Sequence, residues 1–91
     1  MLKVLRTGKF DRDLKRLQKR GYDLSKMNAV VTLLADEQPL PEKNRDHDLK
    51  QNYRGFRECH IEPDWLLIYQ VNKGNLILIL TRTGTHSDLF R

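Results

Sequence analysis

Three histidines lie outside the two stretches of helical periodicity in this chain. His47 lies in a polar segment, His60 near the end of a predicted strand, and His86 just beyond the last predicted strand. Because consecutive strands of a meander usually pair, a loop before the sheet, a strand end and a tail after it are expected to meet at one edge. Asp64, at the start of the next strand, is expected to join them. The sequence therefore predicts a cluster of titratable side chains at a sheet edge.

Side chains of these types suit one reaction in particular, the cleavage of RNA. It needs a base that takes the proton of a 2′-hydroxyl and an acid that protonates the departing 5′-oxygen. Histidine, whose ordinary pKa is ~6.5, can serve as either near neutral pH. An arginine can present paired donors to the phosphate oxygens, and Arg82 is the candidate for that role. The aromatic candidates for stacking on unpaired bases are Tyr53, Phe56, Trp65 and Phe90.

These candidates also have structural interpretations, which the sequence leaves open. A strand-end histidine often only forms a hydrogen bond to backbone, and a tryptophan such as Trp65 lies more often in the core than at a site. Arg82 could pair with Glu58 or Glu62, and Phe90 could simply pin the tail against the sheet.

Three histidines and an aspartate could also serve as the ligands of a metal ion. However, the H-x₃₋₅-H and H-E-x-x-H spacings of familiar metal sites are absent from the sequence. We therefore expect neither a metal nor another cofactor.

Positive charge is concentrated at the N-terminus. Residues 1–26 hold nine Lys and Arg against three Asp, whereas residues 27–91 have a net charge of −1. The natural partners of such a segment are polyanions such as RNA or an acidic protein, although a solvated helix face is the alternative. The basic face of the first predicted helix consists of Lys9, Arg12, Lys15, Arg16, Lys19 and Arg20.

Several classes of protein are disfavoured. Cys59 is the only cysteine, so an intrachain disulfide is impossible, which suits the reducing cytoplasm. The apolar runs Trp65–Tyr69 and Leu76–Leu80 are far shorter than the ~20 residues of a membrane helix. Residues 1–20 carry charge throughout, unlike a signal peptide. We expect a single cytoplasmic domain over residues 1–91 with no membrane association.

The elements that must position these residues follow from the hydrophobic periodicity. After a short strand at Leu2–Arg6, helical spacing predicts a helix over Lys9–Arg20 and a second helix that starts near Asp23 or Ser25 and stops before Pro39. The predicted strands that follow are Arg54–Ile61, Trp65–Val71 and Leu76–Arg82. Thr85 could cap one helical turn.

The resulting order is β-α-α-β-β-β, which indicates an α+β domain with two helices on a mainly antiparallel sheet. The last strand is apolar on both faces and is therefore expected to be central and covered.

Longer stretches of the chain resemble a known family. They are RECHIEPDWLLIY at Arg57–Tyr69, RTGTHSDLF at Arg82–Phe90, PLP at Pro39–Pro41, RDHDL at Arg45–Leu49 and YRGFR at Tyr53–Arg57. Together they are similar to the YafQ-type toxins of the RelE/ParE superfamily over essentially the whole chain. The resemblance implies a RelE-like microbial RNase fold, metal-independent cleavage of mRNA in the ribosomal A site, and a cognate antitoxin of the DinJ or RelB kind.

Residue by residue, the resemblance implies that His47, His60, Asp64 and His86 form the acid–base cluster. Arg82 would face a phosphate, and Trp65 and Phe90 would be the supporting aromatics at the site. The basic face of the first helix would dock on ribosomal RNA. The product would be a 2′,3′-cyclic phosphate, with His86 as the preferred acid and His47 or His60 as the base.

Two other functions remain open at this point. A ParE-like protein would inhibit a protein target on the same fold without nuclease chemistry, and fold alone does not exclude it. A plain nucleic-acid-binding module is the second, although the chain shows no recognition helix or aromatic sheet signature of the familiar readers.

Overall fold

The computed structural model describes residues 1–90. Arg91, the last residue of the predicted domain, lies outside the described residues. The chain forms five strands and three α-helices: β1 (Lys3–Arg6), α1 (Gly8–Lys19), α2 (Leu24–Ala35), β2 (His47–Asp48), β3 (Arg57–Glu62), β4 (Trp65–Asn72), β5 (Ile77–Gly84) and α3 (His86–Leu89). Two short 3₁₀ turns, Glu42–Asn44 and Gln51–Tyr53, flank β2.

Local chemistry sets the ends of the two long helices. The Thr7 hydroxyl caps α1 by accepting from the backbone N–H of Phe10 at 3.0 Å. Gly21 follows the helix with φ of +83°, the left-handed conformation expected of a glycine at that position. The Asp23 carboxylate caps α2 by accepting from Ser25 N–H at 3.0 Å. Both helices therefore lie within a residue or two of their predicted bounds.

The strands form one sheet in the order β1-β5-β4-β3-β2, in which only β1 and β5 run parallel. The prediction of an α+β fold with a mainly antiparallel sheet is confirmed. The predicted order missed β2, because a two-residue strand is too short to show a period. β5 lies inside the sheet as expected, but only one of its faces is well covered: Leu78 and Leu80 are buried, whereas Ile77 and Ile79 are partly exposed.

The core lies between the helices and one face of the sheet. Phe10 and Leu17 of α1 and Met27, Val30 and Leu34 of α2 pack there against alternate residues of the central strands. The strand residues in this core are Cys59, Trp65, Leu67, Tyr69, Leu78 and Leu80. None of the helices within residues 1–90 is long and apolar enough to cross a membrane.

Irregularities in the sheet occur where the candidate site residues begin. Between β3 and β4 the register shifts after His60, and between β4 and β5 it shifts so that Tyr69 faces Leu80 while Ile68 faces Arg82. Such shifts commonly redirect a side chain next to a functional site. They place His60 and Arg82 at the end of the sheet where α3 begins.

Candidate active site

The structure brings all three histidines together at one edge of the sheet. The ring centroids of His47 and His60 are 6.5 Å apart, and those of His60 and His86 are 6.0 Å apart. His47 lies on β2, His60 on β3, and His86 is the first residue of α3. The gathering predicted from the topology is therefore present, with His60 in the middle.

Gly84 allows the chain to turn His86 back toward this edge. Its φ is +155°, and an added Cβ there would lie 2.9 Å from Asp88 Cβ and from a carboxylate oxygen of Asp88. Asp88 and Thr85 form a capping box at the start of α3, each side chain accepting from the other residue's backbone N–H. Arg20, the residue that follows α1, donates to both oxygens of Asp88, at 2.8 and 3.1 Å, and holds the pKa of that carboxyl well below its usual range.

Asp64 contacts His86 through two hydrogen bonds to the same oxygen. Its Oδ1 lies 3.0 Å from the backbone nitrogen of His86 and 2.7 Å from the ring Nδ1. The backbone N–H and then the ring lower the pKa of Asp64. With Nδ1 engaged, the Nε2 of His86 has no bonded partner within residues 1–90 and is directed away from Asp64. This pair therefore presents an oriented imidazole at the surface.

Glu58 is a member of the cluster that the sequence did not single out. It is only 6% exposed, and its Oε1 lies 3.3 Å from Nε2 of His47 and 3.9 Å from Nε2 of His60. The Nδ1 atoms of the two rings face backbone carbonyls of Arg45, at 2.6 Å, and Pro63, at 3.1 Å. Glu58 therefore joins the two imidazoles through one oxygen, which its position two residues before His60 on a strand could have suggested.

A guanidinium positions the segment that carries His47. Nη1 of Arg57 lies 2.5 Å from Asp48 Oδ1, and Nη2 lies 3.0 Å from Asp46 Oδ2, so the two neighbours of His47 are joined to one side chain. Nε donates to the Tyr69 hydroxyl at 3.3 Å, and that hydroxyl donates to Asp46. The Asp46 carboxylate raises the pKa of Arg57. We call Arg57, Asp46, Asp48 and Tyr69 the Arg57 clamp.

Arg82 pairs with a residue that the sequence did not suggest. The predicted alternatives, Glu58 and Glu62, are wrong: Glu58 contacts the histidines, and Glu62 accepts from Lys26 at 2.9 Å. Instead Arg82 donates from Nε and Nη2 to the two oxygens of Asp13 on α1, at 2.7 and 3.1 Å. Asp13 raises the pKa of Arg82.

Of the two interpretations of Trp65, stacking on a base and a place in the core, the structure favours the core. Its side chain is 1% exposed, its Nε1 donates to the Thr83 hydroxyl at 3.0 Å, and Tyr22 packs edge-on against it at 5.0 Å. A ring buried in this way cannot stack on a base. Phe90, by contrast, is 40% exposed and lies 5.6 Å from the Tyr53 ring, so these two aromatics are accessible beside the site.

The six cations predicted on the basic face of α1 are all exposed. They are not equivalent, because Arg20 is engaged by Asp88 and Arg16 lies 3.6 Å from Asp13. Three of them, Lys9, Arg12 and Arg16, line a cleft of about 240 Å³ together with Asp13 and Arg82. We call this the α1–β5 cleft.

Within residues 1–90, no group of three or more His, Cys, Asp and Glu side chains is arranged to hold a metal ion. What the arrangement offers is proton transfer: three imidazoles, two of them sharing a carboxylate and the third oriented by another.

Comparison with known proteins agrees with this geometry. The family of bacterial toxins of type II toxin–antitoxin systems named YafQ matches residues 2–91. The chain belongs to the YafQ family. The mRNA interferase toxin YafQ of Escherichia coli K12 is 41% identical over 85 residues, which cover 92% of this chain and 90% of that protein.

Solved structures give the same result. YafQ in the crystal structure of the E. coli DinJ–YafQ complex superimposes with a TM-score of 0.91 at 39% identity, covering the whole of both chains. A metal-bound toxin from Helicobacter pylori superimposes with a TM-score of 0.94 at 51% identity, covering 99% of this chain and all of that one. The resemblance seen in the sequence motifs is thus confirmed, and the fold is that of the YafQ toxins.

Proposed function

We propose that this YafQ-family toxin is an endoribonuclease that cleaves mRNA in the ribosomal A site and so stops translation. The observation that carries the proposal is the convergence of His47, His60 and His86, with ring centroids about 6 Å apart, beside the carboxylates of Glu58 and Asp64. Support also comes from the relatives, of which two from E. coli are mRNA interferases by name.

The chemistry is a displacement at phosphorus. A base removes the 2′-hydroxyl proton, O2′ attacks the adjacent phosphate, the P–O5′ bond breaks, and an acid protonates the departing O5′. The products are a 2′,3′-cyclic phosphate and a 5′-hydroxyl, and the base and acid each contribute about 10²–10⁴-fold.

His86 is the general acid in this proposal. Its Nε2 has no bonded partner within residues 1–90, and Asp64 orients the ring through Nδ1. His47 or His60 is the base, because one carboxylate oxygen of Glu58 lies beside Nε2 of both rings and so associates them as a pair distinct from His86. Asp64 and Glu58 therefore divide the cluster into an acid half and a base half.

Other residues bind the RNA. Arg82 contacts a phosphate, and exposed Phe90 beside Tyr53 can stack on an unpaired base. The basic face of α1, at Lys9, Arg12, Lys15, Arg16, Lys19 and Arg20, docks on ribosomal RNA, whose affinity for such a surface falls with added salt.

The acid–base set makes the reaction independent of a bound metal in this proposal. The Helicobacter relative was solved with a metal, so the point is open to test. Cleavage should be unchanged in EDTA once the ribosomes are supplied with the magnesium they require. Restoration of activity by a transition metal after chelation would contradict it.

A DinJ- or RelB-like antitoxin holds the toxin inactive in the cytoplasm, in keeping with the complex of the E. coli relative. The basic, exposed site favours an acidic or amphipathic antitoxin segment, which either covers the histidine edge or keeps the protein off the ribosome.

Single His→Ala variants on purified ribosomes carrying a defined message test the assignment. We expect His86→Ala to lower kcat by about 10²-fold or more, with an unfolding midpoint close to that of the parent. Normal cutting by His86→Ala would refute the acid assignment. Failure of the unmodified chain to cut any message would refute the nuclease and favour a ParE-like inhibitor of a protein target.

A further inference from the structure

Asp13 is a buried carboxylate that the proposed reaction does not use. It is 2% exposed, in the middle of α1. Its Oδ2 accepts from Arg82 Nε at 2.7 Å and from the backbone N–H of Thr83 at 3.2 Å, and its Oδ1 accepts from Arg82 Nη2 at 3.1 Å. Because a buried charge is costly unless it is paired, this carboxylate fixes the position of Arg82 relative to α1.

Fixing one edge of a guanidinium also fixes the other, because the group is planar and rigid. Arg82 uses Nε and Nη2 toward Asp13, and within residues 1–90 its Nη1 has no hydrogen-bond partner. The side chain is 29% exposed. The N–H donors of Arg82 that Asp13 does not use therefore face solvent in a fixed direction. Binding of a ligand to them costs no further side-chain entropy at Arg82.

Those donors belong to a strongly cationic cleft. The α1–β5 cleft is lined by Arg82, Lys9, Arg12 and Arg16, with Asp13 as the only anionic lining residue. Both Asp13 oxygens accept hydrogen bonds from Arg82 or Thr83, and Arg16 approaches one of them only to 3.6 Å. Lys9 and Arg12 therefore have no anionic partner among the described residues that line the cleft. Its volume of about 240 Å³ is enough for a phosphate group.

The cleft is separate from the histidine cluster. None of His47, His60 and His86 is among its lining residues. Arg82 nevertheless precedes His86 by only four residues, at the same end of β5. A strand of RNA whose scissile phosphate lies at the histidines would therefore pass close to the cleft with one of its neighbouring phosphates.

We propose that the α1–β5 cleft binds a phosphate of the message that flanks the scissile one, and that Asp13 is the positioning residue that orients Arg82 toward it. The family resemblance implied that Arg82 contacts the substrate and that all six cations of the basic face dock on ribosomal RNA. The cleft reassigns Lys9, Arg12 and Arg16 to the message, which leaves Lys15, Lys19 and Arg20 for ribosomal RNA. The proposal rests on the proposed nuclease function, since its ligand is the same RNA.

The test uses message that cannot be cut, with a 2′-deoxynucleotide at the cleavage position, bound to ribosomes. Each neighbouring phosphate in turn is replaced by an uncharged methylphosphonate, and toxin affinity is measured. We expect one flanking position at which neutralisation weakens binding about tenfold. Arg82→Gln and Arg12→Gln should each weaken binding to normal message but cause no further loss on message neutralised at that position.

Lys73→Gln is the matched control, because Lys73 lies in the turn between β4 and β5, away from the cleft. It removes one positive charge yet should stay fully sensitive to the neutral linkage. Additive effects of Arg12→Gln or Arg82→Gln with every flanking methylphosphonate would overturn the proposal. So would coupling to the scissile phosphate alone.

Asp13→Asn tests the positioning role. On cleavable message it should raise KM about tenfold, as Arg82→Gln does, with kcat within about twofold of the parent, because binding to a flanking phosphate is equally strong in the ground and transition states. In the Asp13→Asn background, Arg82→Gln should add little. A merely structural role would leave the two effects independent.

Arg82→Lys covers the case in which Asp13→Asn does not fold. It retains the charge opposite Asp13 but cannot hold two carboxylate oxygens and a phosphate in one plane, so KM should rise while the unfolding midpoint changes little. An unchanged KM in this variant would refute the orienting role of Asp13. Loss of message cleavage by the parent would instead refute the proposed function, so the two failures are distinguishable.

Discussion

The placement of His47 depends on the Arg57 clamp, and Arg57→Lys is the perturbation that tests this dependence. A single ammonium keeps the charge but cannot contact Asp46, Asp48 and the Tyr69 hydroxyl together. β2 contains only His47 and Asp48, so the strand has few contacts of its own with which to stay in place when the clamp is lost.

The stabilisation that Arg57→Lys removes can be worked out from how exposed each contact of Arg57 is. Asp48 is 77% exposed, so its pair with Arg57 is worth about 0–1 kcal/mol. Asp46 is 26% exposed, and a charge-assisted bond of about 1.5–3 kcal/mol is reduced to about 1–2 kcal/mol by the one-third exposure of Arg57. The combined loss of about 1–3 kcal/mol changes a local equilibrium about 5- to 140-fold.

The assay is single-turnover cleavage of ribosome-bound message together with thermal unfolding. We expect Arg57→Lys to lower the cleavage rate about tenfold and the unfolding midpoint by several degrees. Tyr69→Phe keeps the guanidinium on both carboxylates and should have the smaller effect on rate. The double variant Arg57→Lys/His47→Ala should be no slower than His47→Ala alone, because Arg57 acts through that ring.

Independent, multiplicative effects of Arg57→Lys and His47→Ala would refute the reasoning, because they would show that Arg57 does not act by placing His47. A full rate in Arg57→Lys with a lowered unfolding midpoint would refute it equally, since the clamp would then contribute only to stability.

Three further predictions concern the rest of the site and the core. Asp64→Ala should leave the unfolding midpoint almost unchanged, since Asp64 and His86 are both exposed, yet should lower kcat at least tenfold in the cleavage assay; equal activity would remove Asp64 from the mechanism. Arg20 lowers the pKa of Asp88, so this pair contributes stability above the ordinary aspartate pKa and loses it as pH falls through the native value. Asp88→Asn should therefore be less stable than the parent at pH 7 in thermal unfolding, and the two should converge in strong acid; a gap that persists there would show that charge is not the cause. The Cys59 thiol is fully buried and burial raises its pKa to about 12, so iodoacetamide at pH 8 should label it only after denaturation, and rapid labelling of the native protein would reveal local opening of the core.

What the sequence could predict was set by features that repeat along the chain. The periodicity of Phe10, Leu14 and Leu17 and the apolar run of β5 were enough to predict the helices and a mainly antiparallel sheet. The meeting of the histidines followed from the order of the strands alone. Such arguments need no side-chain geometry.

The contacts that position the site were beyond the same reasoning. Asp13 and Arg82 are separated by 69 residues in sequence, and nothing local marks one as the partner of the other. Glu58 shares a face of its strand with His60, which the sequence could have shown, but its contact with His47 depends on the two-residue strand β2, which places His47 directly opposite it. Trp65 was a candidate both for stacking on a base and for the core, and only its packing against Tyr22 in the folded chain decides between them.

A chain of 91 residues cannot enclose a deep cavity, so its reactive groups must be ordered at the surface. Here carboxylates order the reactive groups and the arginines around them, mostly from another part of the chain, which fixes direction without burying the reactive atom. The pairs are Asp64 with His86, Glu58 with His47 and His60, Asp13 with Arg82, Asp46 with Arg57, and Asp88 with Arg20. Catalysis requires groups that are held in place before the substrate arrives. These carboxylates therefore affect the cleavage rate more than their small contribution to stability would suggest. Replacing them should therefore reduce cleavage far more than it reduces folding, the opposite of what is expected for the apolar residues of the core.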